Sequence, residues 1–164
     1  MKKRICSLLL AVAMLLGTLP AALAGYENFT TQATYTPGQF TDVAADAWYA
    51  DNVRASYEYG LINGQSDTRF APDSALTVAE AVKLAACLHS IYNTGSSDFA
   101  ESQPWYQTYV DYALQNRILT AARSDYTQPA SRAVFASVLA AALPGDALPA
   151  INTVADGAIP DVSM

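Results

Sequence analysis

The chain has 164 residues, which is room for about one domain, and 52% of them are apolar, so a buried core can form and wholesale disorder is excluded. The formal net charge is −6; without the three basic residues at positions 2–4, six basic residues face fifteen acidic ones, which leaves −9. A body this acidic lacks the broad basic surface that binds duplex nucleic acid, so we expect no nucleic-acid partner.

Residues 1–24 have the layout of a secretory signal peptide. The basic start is followed by an uncharged apolar run over 5–17, which is shorter than the ~20 residues that span a bilayer. Ala22-Leu23-Ala24 then precedes Gly25, as at a small-x-small cleavage site. We expect a secreted bacterial protein that makes no membrane contact after cleavage. Only Cys87 would remain in the mature chain, so no internal disulfide is expected.

Residues 25–39 are polar and rich in Thr and Tyr, which predicts a tether. The chain from 40 to 93 then reads as helix, loop, helix. The first helix is predicted from about Trp48 to Tyr59, and a loop follows over 63–74 with Phe70 pinning it to the core.

The second helix of this unit is predicted to begin at Thr77, because Glu80 three residues later completes a capping box, and to end near Tyr92. Its apolar residues cover more than one face. We therefore expect it to be central and the first helix to be peripheral.

The chain from 94 to 144 repeats this unit, since Trp48-Tyr49 recurs as Trp105-Tyr106 at an offset of 57. Its helices are predicted at 105–116 and 131–143. A connector over 145–158 leads to residues 159–164, where Ile159-Pro160-Asp161-Val162 resembles the start of a third unit. Because repeats bury their apolar faces against neighbours and about three are typically needed, we expect both second helices to keep an exposed apolar stripe, with loose folding or self-association.

Short motifs in fixed order resemble the S-layer homology (SLH) family: Phe40-x-Asp42-Val43, Trp48-Tyr49, Gly60-Leu61-Ile62-x-Gly64, Asp67-x-x-Phe70-x-Pro72 and Thr77-x-Ala79-Glu80. The second unit is similar through Trp105, Ile118-Leu119, Tyr126 and Ser131-Arg132-Ala133. The resemblance covers residues 40–144. It implies an all-α fold of tandem helix-loop-helix repeats, part of a pseudo-threefold helical spindle.

The resemblance also implies a function. SLH domains attach exported proteins non-covalently to secondary cell-wall polysaccharides, often pyruvylated, in grooves between repeats. By this resemblance the chain would be anchored in the cell wall or S-layer of a bacterium, with such a polysaccharide or peptidoglycan as its partner. The ligand-binding residues that the resemblance implies are Arg132, Ser131, Trp48, Trp105, Thr77, Gly60 and Gly64.

The basic residue of the family's Thr-Arg-Ala-Glu motif survives only in the second unit. The first unit has Thr77-Val78-Ala79-Glu80, so an arginine at 78 would restore the pattern; the second has Ser131-Arg132-Ala133-Val134. Arg132 lies in the first turn of a predicted helix, where a guanidinium can hold a carboxylate in bidentate fashion. Pairing with a nearby acid is the alternative for this arginine.

The two tryptophans also have two interpretations. Their aromatic faces suit stacking on sugar rings, and packing of each ring within its own helix pair explains them equally well. Asp42 is predicted to have a capping or turn role.

Signals of catalysis are missing. The single histidine, His89, falls on an apolar helix face, and the sequence has no metal-ligand spacing and no nucleophile or phosphate-loop motif. We expect no enzyme, cofactor or metal. Two functional alternatives to wall anchoring stay open: a helical protein–protein module for surface-layer assembly, and the targeting part of a longer secreted enzyme.

Overall fold

The structure, a computed structural model, describes residues 25–147 of the chain. This range contains four α-helices and no strand: α1 Ala50–Glu58, α2 Val78–Thr94, α3 Gln107–Gln115 and α4 Arg132–Ala140, preceded by a 3₁₀ turn at Tyr26–Asn28. The predicted all-α fold is thereby confirmed. The predicted signal peptide, most of the predicted connector and the predicted third-unit start lie outside the described residues. No helix between residues 25 and 147 is both long and apolar enough to cross a membrane.

The start of α2 follows the predicted local signal. The Thr77 hydroxyl accepts the Glu80 backbone N–H at 3.3 Å, and the Glu80 carboxylate accepts the Thr77 backbone N–H at 2.7 Å, so the capping box is complete. At α4, Ser131 caps the Val134 amide at 3.2 Å, but the Val134 side chain cannot reciprocate. That helix ends at Ala140 rather than at 143, because a residue before proline, here Leu143, disfavours helical backbone.

The two units share their local geometry. Helices α1 and α3 have nine residues each, and a tryptophan–tyrosine pair meets edge to face before both of them. The left-handed backbone of Gly60 (φ 71°) recurs at Arg117 (φ 60°), although a side chain disfavours this conformation. The backbone therefore repeats even where the residue type does not.

Helix α2 is the centre of the larger apolar core, as predicted. Eight of its residues are buried, and it packs against both α3 and α4. Helix α1 instead belongs to a second cluster built on Phe40, Val43 and Val53. Phe70 packs against Phe40 with ring centroids 5.8 Å apart, which confirms that it pins the loop.

A short backbone ladder joins the two units. The amides of Val78 and Ala79, in the first turn of α2, donate to the carbonyls of Gln128 and Tyr126 at 2.9 and 2.8 Å. The Ala130 amide returns a bond of 2.7 Å to the Leu76 carbonyl. First-turn amides have no partner within their own helix, so the loop of the second unit satisfies them.

Residues 25–39, predicted as a tether from their composition, are packed onto the helices. The amides of Gln32 and Ala33 donate to the Glu58 carbonyl at 2.7 and 3.2 Å, and the Asn28 side chain donates to the Tyr92 carbonyl at 2.7 Å. Free carbonyls at the ends of α1 and α2 explain these contacts.

This packing changes the expected pattern of exposed apolar surface. The 3₁₀ turn covers the end of α2, where the rings of Tyr26 and Tyr92 meet edge to face at 5.7 Å. The exposed stripe predicted for α2 is therefore absent in the described structure. In α4, by contrast, only Val138 of nine residues is buried.

Candidate ligand-binding groove

A groove of about 660 Å³ runs between the two units, and we call it the inter-repeat groove. The first unit contributes its loop and one face of α2, and the second unit contributes Trp105 and Phe135. Its lining residues are Leu61, Ile62, Asn63, Gly64, Gln65, Phe70, Ala71, Pro72, Ser74, Ala75, Leu76, Glu80, Lys83, Leu84, Trp105 and Phe135.

The face of α2 that lines this groove carries Glu80, Lys83 and Leu84, which the three- and four-residue spacing places side by side. The Glu80 carboxylate is engaged by both the amide and the hydroxyl of Thr77, each at 2.7 Å. Lys83 is half-buried, and its ammonium nitrogen lies 5.6 Å from the centre of the Tyr109 ring.

Asp42 holds the loop wall of the groove in place. Its carboxylate accepts the backbone N–H groups of Phe70 at 2.9 Å and Ala71 at 2.7 Å. The bond from Phe70 is the main reason that the pKa of Asp42 is lowered. The sequence predicted a capping or turn role, and the amides that this carboxylate caps belong to a loop 28 residues away.

Gly64 is required by the turn that begins this wall. Its φ is 80°, and an added Cβ would lie 2.6 Å from the Phe40 ring and 2.9 Å from the Arg69 carbonyl. No other residue fits there without displacing the core of the first unit. The backbone of the turn and the close packing around it therefore account for a glycine at position 64, without any role in ligand binding.

The structure brings only two of the predicted ligand residues, Gly64 and Trp105, into the inter-repeat groove. Thr77 and Ser131 cap helices with their hydroxyls. Trp48, 88% exposed, lines a different cavity, which shares Ile62, Phe70 and Pro72 with the inter-repeat groove.

Arg132 is exposed at the first residue of α4 and is not a lining residue of the inter-repeat groove. It precedes the groove residue Phe135 by three positions, which puts both on the same helix face one turn apart. Polymer binding by Arg132 stays a prediction.

Position 78, which is the first unit's equivalent of Arg132, does not face a groove, so an arginine there would not restore a groove cation. Val78 is 3% exposed and belongs to the main apolar core. The loop of the second unit covers this turn of α2 through Gln128 and Tyr126, and a charged side chain there would lack solvent.

Gly60, the remaining predicted ligand residue, lines a second groove of about 680 Å³, which we call the N-terminal groove. The segment before the first unit forms one of its walls. Its lining residues are Gln32, Ala33, Gln39, Tyr57, Gly60, Leu61, Asn63, Asp67, Lys83, Cys87, Ser97 and Tyr109.

Two reactive residue types on α2 are structural. Burial raises the pKa of the Cys87 thiol to about 11, so the thiolate is scarce at neutral pH. His89 bonds the Tyr112 hydroxyl at 2.8 Å through Nδ1, and burial lowers its pKa. The position of His89 agrees with the apolar helix face predicted for it. No group of three or more potential metal ligands occurs within residues 25–147.

Lys83 was not among the ligand residues predicted from the sequence. A signal was present, because Lys83 and Glu80 are the only acidic or basic side chains, histidine aside, in the seventeen residues of α2. Such an isolated charge on a mostly buried helix must reach an opening in the packing.

Comparison with known proteins agrees with the motifs described above. The model of the S-layer homology domain matches residues 39–82. The chain is 36% identical over 90 residues to the Surface-layer 125 kDa protein of Lysinibacillus sphaericus, a match that covers 52% of this chain and 8% of that protein. The chain thus spans less than a tenth of this relative's length, and no solved structure shows a significant match. Residues 39–82 therefore contain an S-layer homology domain, and the helix-loop-helix unit that follows them repeats its local geometry.

Proposed function

We propose that this chain is a non-catalytic attachment module that holds an exported protein at the bacterial cell surface. It does so by binding a cell-wall polysaccharide in the inter-repeat groove. The observation that carries the proposal is the position of Trp105, 48% exposed, in a groove between two units of an S-layer homology domain protein. The surface-layer name of the matched relative supports the same location.

The chemistry of the groove suits a carbohydrate. Trp105 offers an apolar face on which the C–H face of a sugar ring can stack, and the loop opposite it carries the amide side chains of Asn63 and Gln65. An apolar surface with a few polar groups around it is the usual composition of a binding site. Amides both donate and accept hydrogen bonds, as sugar hydroxyls do.

Sedimentation with purified cell-wall sacculi of Lysinibacillus sphaericus tests the proposal. We expect the chain to bind intact sacculi and to lose binding after hydrogen fluoride removes the wall polysaccharide. Retained binding after this extraction would contradict a polysaccharide ligand and indicate peptidoglycan instead. No binding to either preparation would contradict wall attachment and favour a protein–protein module.

Paired tryptophan variants test the groove itself. Trp105→Ala should weaken binding by about thirtyfold, since truncating an aromatic anchor in a binding site costs ~2 kcal/mol or more. Trp48→Ala is the matched control, because Trp48 has the same place in the first unit but lies outside the inter-repeat groove. Equal losses in the two variants would refute the assignment of this groove.

A further inference from the structure

Lys83 lies where the two grooves meet. It lines both the inter-repeat groove and the N-terminal groove, and it shares this position with Leu61 and Asn63 from the loop of the first unit. A ligand in either groove therefore approaches the same ammonium group.

Among residues 25–147, no carboxylate pairs with Lys83, whereas Arg54 and Arg69 both lie within 4.0 Å of a carboxylate. The nearest acid along α2, Glu80, is occupied by the Thr77 cap. The ammonium lies over the face of the Tyr109 ring, and none of its three N–H donors bonds a residue in the described part of the chain.

Both polar and aromatic side chains line the grooves around this ammonium. The N-terminal groove presents amide and hydroxyl side chains from Gln32, Gln39, Asn63 and Ser97, and it also contains the carboxylate of Asp67. The inter-repeat groove presents Trp105. A sugar bearing a negative substituent finds hydrogen-bonding partners, an apolar face and a positive charge together at this junction.

We propose that Lys83 recognises an anionic substituent, a carboxylate or a phosphate, on the bound polysaccharide. This inference rests on the proposed function and adds a residue that determines specificity. A lysine acts as a point charge, so both kinds of anion fit its chemistry. On a body with a net charge of −9 outside positions 2–4, a local cation of this kind is needed to attract an acidic polymer.

The test measures binding of Lys83→Met and Lys83→Arg to the same sacculi over a range of salt concentrations. Methionine keeps the unbranched stem, so the melting temperature should change little, while binding at low salt should fall about ten- to hundredfold. Lys83→Arg should retain most binding, and the salt dependence of Lys83→Met should be flatter than that of the original chain. Arg123→Met, in an exposed loop, is the control and should bind normally.

Sacculi with chemically reduced carboxyl groups separate the two anions. If the difference between the original chain and Lys83→Met disappears on these walls, the substituent is a carboxylate; if it persists, the substituent is a phosphate. Equal binding of Lys83→Met and the original chain to untreated sacculi would overturn the role of Lys83 alone. Failure of the original chain to bind would overturn the proposed function and this inference with it.

Discussion

Replacing Val78 by arginine tests why two equivalent motif positions differ in burial: Val78 at the start of α2 is buried, whereas Arg132 at the start of α4 is exposed. By motif alone, Val78→Arg restores a groove cation and strengthens binding. In the structure the side chain is 3% exposed, within the main core and beneath the loop of the second unit. We therefore expect the substitution to destabilise the fold strongly rather than to improve the ligand site.

The magnitude follows from two losses. Full burial of a valine side chain contributes about 1.5–3 kcal/mol, and an unpaired buried charge costs several kcal/mol more. Together the two losses come to about 5 kcal/mol or more, which is a large part of the 5–15 kcal/mol typical of a domain. With a urea dependence of about 1–3 kcal/mol/M, the midpoint of unfolding should fall by more than ~1 M.

Urea unfolding followed by far-ultraviolet circular dichroism measures this midpoint. Arg132→Val is the matched control, because Arg132 has the same position in α4 but is exposed. Its free energy of unfolding should change by no more than about 0.5 kcal/mol. An unchanged midpoint for Val78→Arg, together with tighter binding to sacculi, would refute the burial argument and show that the guanidinium reaches solvent.

Three further predictions concern helix capping and pH. Thr77→Ala should lower the free energy of unfolding by about 1–2 kcal/mol, and Ser131→Ala by less, because only Thr77 has a reciprocal glutamate; equal losses in urea unfolding would contradict the capping box. Asp42→Asn should speed hydrogen exchange at the Phe70 and Ala71 amides, which both donate to the Asp42 carboxylate. Because the pKa of Asp42 is lowered in the folded state, its contribution to the free energy of unfolding is present above the unfolded pKa of about 4 and disappears as pH falls through the folded pKa. Burial lowers the pKa of His89 in the folded state. The contribution of His89 to stability should therefore be constant above its unfolded pKa of about 6.5 and should decline as pH drops from there towards the folded pKa. The melting temperature of His89→Gln should lack this decline.

Local features of the fold could be read from the sequence because they depend on residues a few positions apart. The capping box of Thr77 and Glu80 needs only three residues of spacing, and the helices of both units begin within about two residues of their predicted starts. The offset of 57 between the two Trp-Tyr pairs likewise identified the repeat. Phe70 was recognisable as the anchor of its loop because it is the single large apolar side chain there.

The groove could not be read in the same way, because distant segments build it. Lys83 acquires its place only when a loop twenty residues earlier and Trp105 twenty-two residues later pack around α2. Val78 and Arg132 have the same motif position, and only the loop of the second unit decides that one is buried and the other exposed. The polar composition of residues 25–39 also gave no sign that their amides would meet the carbonyls of α1 and α2. Spacing in the sequence therefore determined the helices and their repetition, whereas contacts between units decided which side chains face a ligand, because burial depends on neighbours that are remote along the chain.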